Sequence, residues 1–141
     1  MKVKISRVDK GLPLPKYETA GAAAFDFLAR EKVKIPSRSI GLVPGNVVIE
    51  TPRGYMLVVV PRSSTPRKYG LLIPHGIGIV DSDYCGPADE ILIQVFNFTD
   101  KVVVVERGER IAQGVFVKIA RAAMTESIIN RRTRGGFGST D

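Results

Sequence analysis

The sequence predicts an all-β protein. Short β-branched runs recur along its 141 residues, each bounded by Pro, Gly or Asn, at the fairly even spacing of a sandwich or barrel. No window keeps a 3.6-residue apolar period over ten or more positions, so no long helix is expected. Residues 91–98 are apolar on both faces, which marks a strand covered on both sides, by a second sheet or by another subunit.

The elements follow in chain order. Ala23-Ala24-Phe25-Asp26-Phe27 is a strand-like stretch that sets an acid between aromatics. Val47-Val48-Ile49 follows the turn Pro44-Gly45-Asn46, and Tyr55 to Val60 follows Pro52-Arg53-Gly54 and stops at Pro61. Ser63-Ser64-Thr65-Pro66 opens a turn or two of helix, with a hydroxyl available to cap and Pro early in the helix. A β-strand then leads from Gly76 into the turn at Asp81. Ile91 to Phe98 and Val102 to Val105 are strands joined by Thr99-Asp100-Lys101, and Gln113 to Ile119 is a further one. No repeat, linker or second domain interrupts the pattern; residues 1–131 read as one β-domain and 132–141 as a flexible Gly-rich arm.

Composition bounds the function. An apolar fraction of 44% and a charged fraction of 25% are ordinary for a globular domain. No apolar run nears the ~20 residues that span a bilayer, so no membrane partner is expected. Met1-Lys2-Val3-Lys4-Ile5 alternates polar and apolar, unlike a signal peptide. The single cysteine, Cys85, offers neither a disulfide nor a metal cluster, which suits a reducing cytoplasm. The net charge of +7 is spread along the chain. No ladder of exposed aromatics alternating with cations is present, so a nucleic-acid partner is not expected.

Five constellations carry chemistry. Asp26 between Phe25 and Phe27 is the first; by itself such an Asp is more often a turn or solvent residue. Pro61-Arg62-Ser63-Ser64-Thr65-Pro66-Arg67-Lys68 ends a strand and presents hydroxyls, cations and N–H groups where phosphate binds readily, or it is a capped surface turn. Gly76-Ile77-Gly78-Ile79-Val80-Asp81-Ser82-Asp83-Tyr84 runs a strand into a turn with two carboxylates and a tyrosine. Its backbone can recognise a base, Asp81 can polarise a water and Tyr84 can stack on a sugar, although Asp-Ser-Asp also reads as an Asp-rich β-turn. Gly108-Glu109-Arg110-Ile111-Ala112-Gln113 feeds the last strand. Arg132-Thr133-Arg134-Gly135-Gly136-Phe137-Gly138-Ser139-Thr140 combines cations, glycines and a flat apolar ring, the composition of a flap over a nucleotide.

In this order the five blocks resemble the signature motifs of the homotrimeric dUTP diphosphatase (dUTPase) family, and the resemblance runs nearly the whole chain. It implies a jelly-roll-like fold of the β-clip type, with a mobile C-terminal arm. It also implies a homotrimer in which each of three sites is built from all three subunits. The implied reaction converts dUTP to dUMP and pyrophosphate, limiting uracil in DNA and supplying dUMP for thymidylate synthesis. Asp81 is then the general base that activates water against the α-phosphorus, and Tyr84 packs on the deoxyribose. The backbone of Gly76, Gly78, Ile79 and Val80 reads uracil, and Arg62, Ser63, Ser64 and Gln113 hold the phosphates. Mg²⁺ rides on the triphosphate, with Asp26 acting through a water. Arg132 reaches the phosphates from a neighbouring subunit, and Gly136, Phe137, Gly138 and Ser139 close over the substrate with Phe137 on the uracil.

The sequence departs from that family's pattern in four places. Pro87-Ala88-Asp89 is inserted before Glu90-Ile91, Thr133 replaces a usual Gly, Ala22-Ala23-Ala24 loosens the match around Asp26, and His75 is atypical. Two other functions compete. A dCTP deaminase, alone or bifunctional, shares the fold and the Arg-Ser-Ser-x-x-Arg pattern at Arg62 to Arg67, but needs a carboxylate three residues before Asn97, where Gln94 stands, and Glu90 could substitute only if the strand slipped. A non-catalytic nucleotide-binding regulator would use the same pocket.

Overall fold

The computed structural model describes residues 1–136, which form a β-fold with one five-residue helix. The strands are β1 (Lys4–Arg7), β2 (Phe25–Phe27), β3 (Val33–Ile35), β4 (Ile40–Pro44), β5 (Val47–Glu50) and β6 (Tyr55–Pro61). After helix α1 (Thr65–Tyr69) come β7 (Leu71–Leu72), β8 (Gly78–Val80), β9 (Leu92–Asn97), β10 (Val103–Val105) and β11 (Ala112–Lys118). All pairings are antiparallel, and they make a four-stranded sheet in the order β2-β11-β6-β8 and a three-stranded sheet β4-β9-β7. Two-stranded ribbons β1-β5 and β10-β3 complete the set.

The punctuation predicted most of this. Pro52-Arg53-Gly54 precedes β6, with Gly54 at φ +81°, and β6 ends at Pro61 as expected. The strand expected over 91–98 is β9, whose inward residues Ile93, Val95 and Asn97 are buried. Its outward residues are half-covered or exposed, and Leu92 is 48% exposed beside Leu42 on β4. Within one chain, therefore, only one face of β9 is covered.

The core runs between the sheets. Phe27, Ile35, Val43, Leu57, Ile93, Val95 and Val105 are among its fully buried members. Each large aliphatic or aromatic side chain removed from water stabilises the fold by about 1.5–3 kcal/mol. Asn97 is the polar member of that core: its amide donates to the carbonyls of Ile35, Pro36 and Lys101, and its Oδ1 accepts from Thr99 N. One side chain thus ties β9, β3 and the β9–β10 turn together without an unpaired polar atom.

Helix α1 corrects one expectation. Ser64 occupies the N-cap position but makes no side-chain cap bond. Its backbone sits in the helical region, at φ −84°, ψ −15°, so its hydroxyl does not face the first-turn N–H groups. Thr65, fully buried, instead donates its hydroxyl to the Ile111 carbonyl at 2.6 Å. The helix is held by the chain beneath it.

After β11 the chain leaves the body. Ile119 N donates to the Gly54 carbonyl at 2.9 Å, and residues 121–135 are exposed throughout. Met124, Ile128 and Ile129 are 96%, 86% and 81% exposed.

Candidate functional site

The first cluster gathers at the far end of β6. Gln113 on β11 lies opposite Asp26 on β2 and opposite Val60 on β6, so the antiparallel register sets all three in one row. Beyond that row Pro61 ends β6, and Arg62 N donates to the Ile111 carbonyl at 3.2 Å. Arg62 Nε then meets Asp26 Oδ1 at 2.9 Å, while Arg110 approaches Asp26 Oδ2 at 3.4 Å and Glu18 Oε1 at 2.7 Å. The Asp26 side chain is 11% exposed, and two guanidinium groups compensate its charge. Ser63 and Ser64 follow on the loop before α1, with Ser63 exposed. Gln113 Nε2 makes a long 3.5 Å contact to the Pro61 carbonyl. The cluster pairs two guanidinium groups with two carboxylates, is rich in N–H and hydroxyl donors and reaches solvent at Ser63, a setting that can take phosphate oxygens.

This arrangement also decides how a divalent cation can sit here. Among the described residues no group of three His, Cys, Asp or Glu side chains could hold a metal ion. Asp26 offers a hard carboxylate whose two oxygens already face cations. It fits Mg²⁺ only as one outer contact through water, for an ion carried mainly by a polyphosphate.

The second cluster lies at the opposite end of β6. β8 is the edge strand of its sheet, pairing Val80 with Leu57 and Gly78 with Val59 on one side only. Its outer N–H and C=O groups have no strand partner among the described residues, so they can read the edge of a planar ligand. Gly76, at φ +80°, turns the chain into β8, a conformation that other residues adopt only with strain. A Cβ at Gly78 would lie 3.2 Å from Val59 Cβ and 3.7 Å from His75 Nε2. The cavity beside β8 has a volume of about 440 Å³. Its walls are apolar at Val59, Ile73, Val80 and Ile91, and the polar side chains reaching it are His75, Asp81, Tyr84 and Gln94. Asp81 is exposed at its mouth, and Tyr84 is 39% exposed with its hydroxyl donated to the Glu90 carbonyl at 3.2 Å.

The two clusters do not meet within one chain. From Leu57 to Arg62 the strand climbs about 16 Å at ~3.3 Å per residue. Asp26 lies three strands across from β8, roughly 14 Å at ~4.8 Å per strand. The ion pair with Asp26 draws Arg62 away from Asp81, not towards it. Of the arm, Arg132 and Gly136 are described and Arg132 is exposed, while Phe137, Gly138 and Ser139 lie outside the described residues.

Sequence reasoning missed Arg110 and Glu18 as members of the first cluster. Arg110 was legible, three residues before Gln113 in a block already singled out. Glu18 stands in an irregular segment of residues 8–24 with no periodic signal. The pair Arg30–Glu90 was likewise hidden, since 60 residues separate its members.

Comparisons with known proteins converge. Residues 10–141 match the family model described as dUTPase. A deoxyuridine 5'-triphosphate nucleotidohydrolase of Lactococcus lactis is 38% identical over 133 residues, covering 92% of this chain and 89% of the relative. One of Dictyoglomus turgidum is 37% identical, covering 99% of this chain and 98% of the relative. The crystal structure of a dUTPase from Streptococcus mutans superposes with a TM-score of 0.79 at 37% identity, covering 88% of this chain and all of that one.

Proposed function

The chain belongs to the dUTPase family, and on that premise we propose that it hydrolyses dUTP to dUMP and pyrophosphate at sites shared between subunits. The observation that carries this reading is the division of β6. Asp81 leaves the sheet at one end of the strand and Arg62 at the other, where Arg62 is engaged by Asp26 rather than turned towards Asp81. A second copy that brings its Arg62 end to the first copy's Asp81 end completes the site. A homotrimer does so three times over, and covers the outward face of β9 with Leu92 and Leu42.

The uracil enters the cavity beside β8 and is read by the free edge of Gly78, Ile79 and Val80, with Gly76 shaping the approach. A ring held against backbone leaves no room for a methyl at its edge. Tyr84 lies along the deoxyribose and disfavours a 2′-hydroxyl. Asp81 accepts a proton from a water placed against the α-phosphorus, and pyrophosphate departs. Arg62, Ser63, Ser64 and Gln113 of the neighbouring copy neutralise the phosphate oxygens. Mg²⁺ on the triphosphate would withdraw charge from it, with Asp26 as the water-mediated contact. Arg132 and the arm residues Gly136 to Ser139 close from a neighbour, and Phe137 covers the uracil. Mg²⁺ and dUTP are the implied ligands, and a cytoplasmic setting suits a pool of free nucleotides.

Deamination is disfavoured by a specific observation: Gln94 faces the base cavity where a deaminase needs a proton-shuttling carboxylate. Pyrophosphate release from dUTP, dCTP, dTTP and UTP, each with and without EDTA, tests the proposal. Hydrolysis confined to dUTP and lost on chelation is the expected result. Ammonia release from dCTP would establish the deaminase instead, and binding without turnover would establish a regulator.

A further inference from the structure

Tyr84 is held at both ends. Its backbone N–H donates to the Asp81 carbonyl at 3.3 Å, and its hydroxyl donates to the Glu90 carbonyl at 3.2 Å. The ring therefore spans the turn as a crossbar between the Asp81 end and the start of β9. What fixes Tyr84 is whatever fixes the carbonyl of Glu90.

Three restraints converge there. The Glu90 side chain is only 13% exposed and accepts from Arg30 Nε at 2.9 and 3.2 Å and from Asn46 N at 2.9 Å. Arg30 holds its proton more firmly than an ordinary guanidinium, chiefly through that hydrogen bond to Glu90. On the following residue, Ile91 N donates to the Val47 carbonyl and Ile91 O accepts from Gly45 N. On the preceding residue, Asp89 accepts from Gly86 N at 2.7 Å through Oδ2 and returns its own N–H to the Gly86 carbonyl at 3.0 Å. That last pair closes Gly86 to Asp89 into a small ring, and its interior is the inserted Pro87-Ala88.

We propose that Asp89, Glu90 and Arg30 are positioning residues for Tyr84, and that the inserted turn stiffens the ring that selects deoxyribose over ribose. This rests on the reading above, in which Tyr84 meets the sugar. A 2′-hydroxyl can enter only if the ring retreats, so the penalty against a ribonucleotide grows with the number of bonds that keep the ring in place. Glu90 supplies the anchor point, Arg30 and Asn46 lock it from behind, and Asp89 removes the slack that three extra residues would otherwise introduce.

The test is the ratio of kcat/KM for UTP to that for dUTP, measured on the whole enzyme for Tyr84→Phe, Asp89→Ala, Asp89→Asn and the double variant Tyr84→Phe/Asp89→Ala. Tyr84→Phe deletes one hydroxyl and keeps the ring, and should raise the ratio about twofold to tenfold, the range of one neutral hydrogen bond. Asp89→Ala should move the ratio in the same direction through UTP, with kcat for dUTP little changed. Asp89→Asn retains an acceptor oxygen and should restore the wild-type ratio. The double variant should show no more than the larger single effect, because both changes free the same ring. An unchanged ratio in Tyr84→Phe overturns the proposal, whether or not the Asp89 variants fold. So do additive effects in the double variant, which would separate Asp89 from Tyr84. A wild-type enzyme that does not hydrolyse dUTP at all counts instead against the reading on which the proposal rests.

Discussion

Asp26 Oδ1 and Arg62 Nε lie 2.9 Å apart, joining the central residue of β2 to the residue that follows β6. Two blocks that look unrelated in sequence are thus one structure: the acid between aromatics orients the arginine proposed for phosphate. Asp26→Asn should leave Arg62 and Arg110 facing each other across a neutral amide. Since Asp26 is nearly buried while Arg62 is about a third exposed, the loss should be on the order of 1–3 kcal/mol. Thermal unfolding checks the stability, and the Mg²⁺ dependence of turnover should shift to higher metal concentration in the same variant.

Asp81→Asn should keep the fold and nucleotide binding, because the Asp81 carboxylate is exposed and stands outside the core. Hydrolysis should slow by about 10²–10⁴-fold, the usual consequence of removing a general base. Single-turnover hydrolysis of dUTP measures it. A wild-type rate would move the role to Asp83.

The division of β6 makes a sharper prediction. Asp81→Asn and Arg62→Ala should each be nearly inactive alone, yet refolding the two together should restore roughly one site in four, since random assembly pairs an intact Asp81 with a neighbour's intact Arg62 that often. A site contained in one chain would show no restoration. Light scattering should independently give about three times the 15.4 kDa chain mass.

Deleting residues 132–141 should leave the assembly intact, because the chain from 121 to 135 is exposed throughout and adds nothing to the core. Turnover should nevertheless fall sharply, since closure contributes positioning and exclusion of water. Phe137→Ala should be milder, base stacking being worth only ~1–3 kcal/mol. Steady-state hydrolysis by both variants, with proteolysis of the arm with and without a non-hydrolysable dUTP analogue, decides the matter.

Gly70 tests the fold rather than the chemistry. It closes α1 in the left-handed conformation, at φ +68°, and a Cβ there would collide with Thr99 Cγ2. Gly70→Ala should lower stability by more than the ~1 kcal/mol of backbone strain alone, read as a drop in the urea midpoint at unchanged slope.

Strands were legible where Pro or Gly bounds a long β-branched run, as at β6, β9 and β11. Some of the short ones were not, although β2, β5, β8 and β10 were. β3 and β7 have three and two residues, and β4 carries Gly41 and Pro44 inside a segment with little alternation. Their strand character comes from partners far along the chain, such as the pairing of Gly41 with Val95. The site shows the same split. Gln113 and Asp26 could be named from their blocks, but their row across β2 and β11 depends on register, which residue types alone do not specify. Ser64 shows the opposite limit: local chemistry favoured a cap, and the tertiary bond of Thr65 to Ile111 determined the helix start instead.

If the two ends of β6 serve different sites, as proposed, damage to this enzyme is not confined to the copy that carries it. In a mixed assembly, a copy altered only at Asp81 silences the site its own hairpin builds, and one altered only at Arg62 silences the neighbour's. A copy altered at both ends silences two sites at once, so it acts as a poison on sound partners. In a cell expressing both forms, a doubly altered chain would therefore behave as partly dominant, while a chain unable to assemble would be recessive.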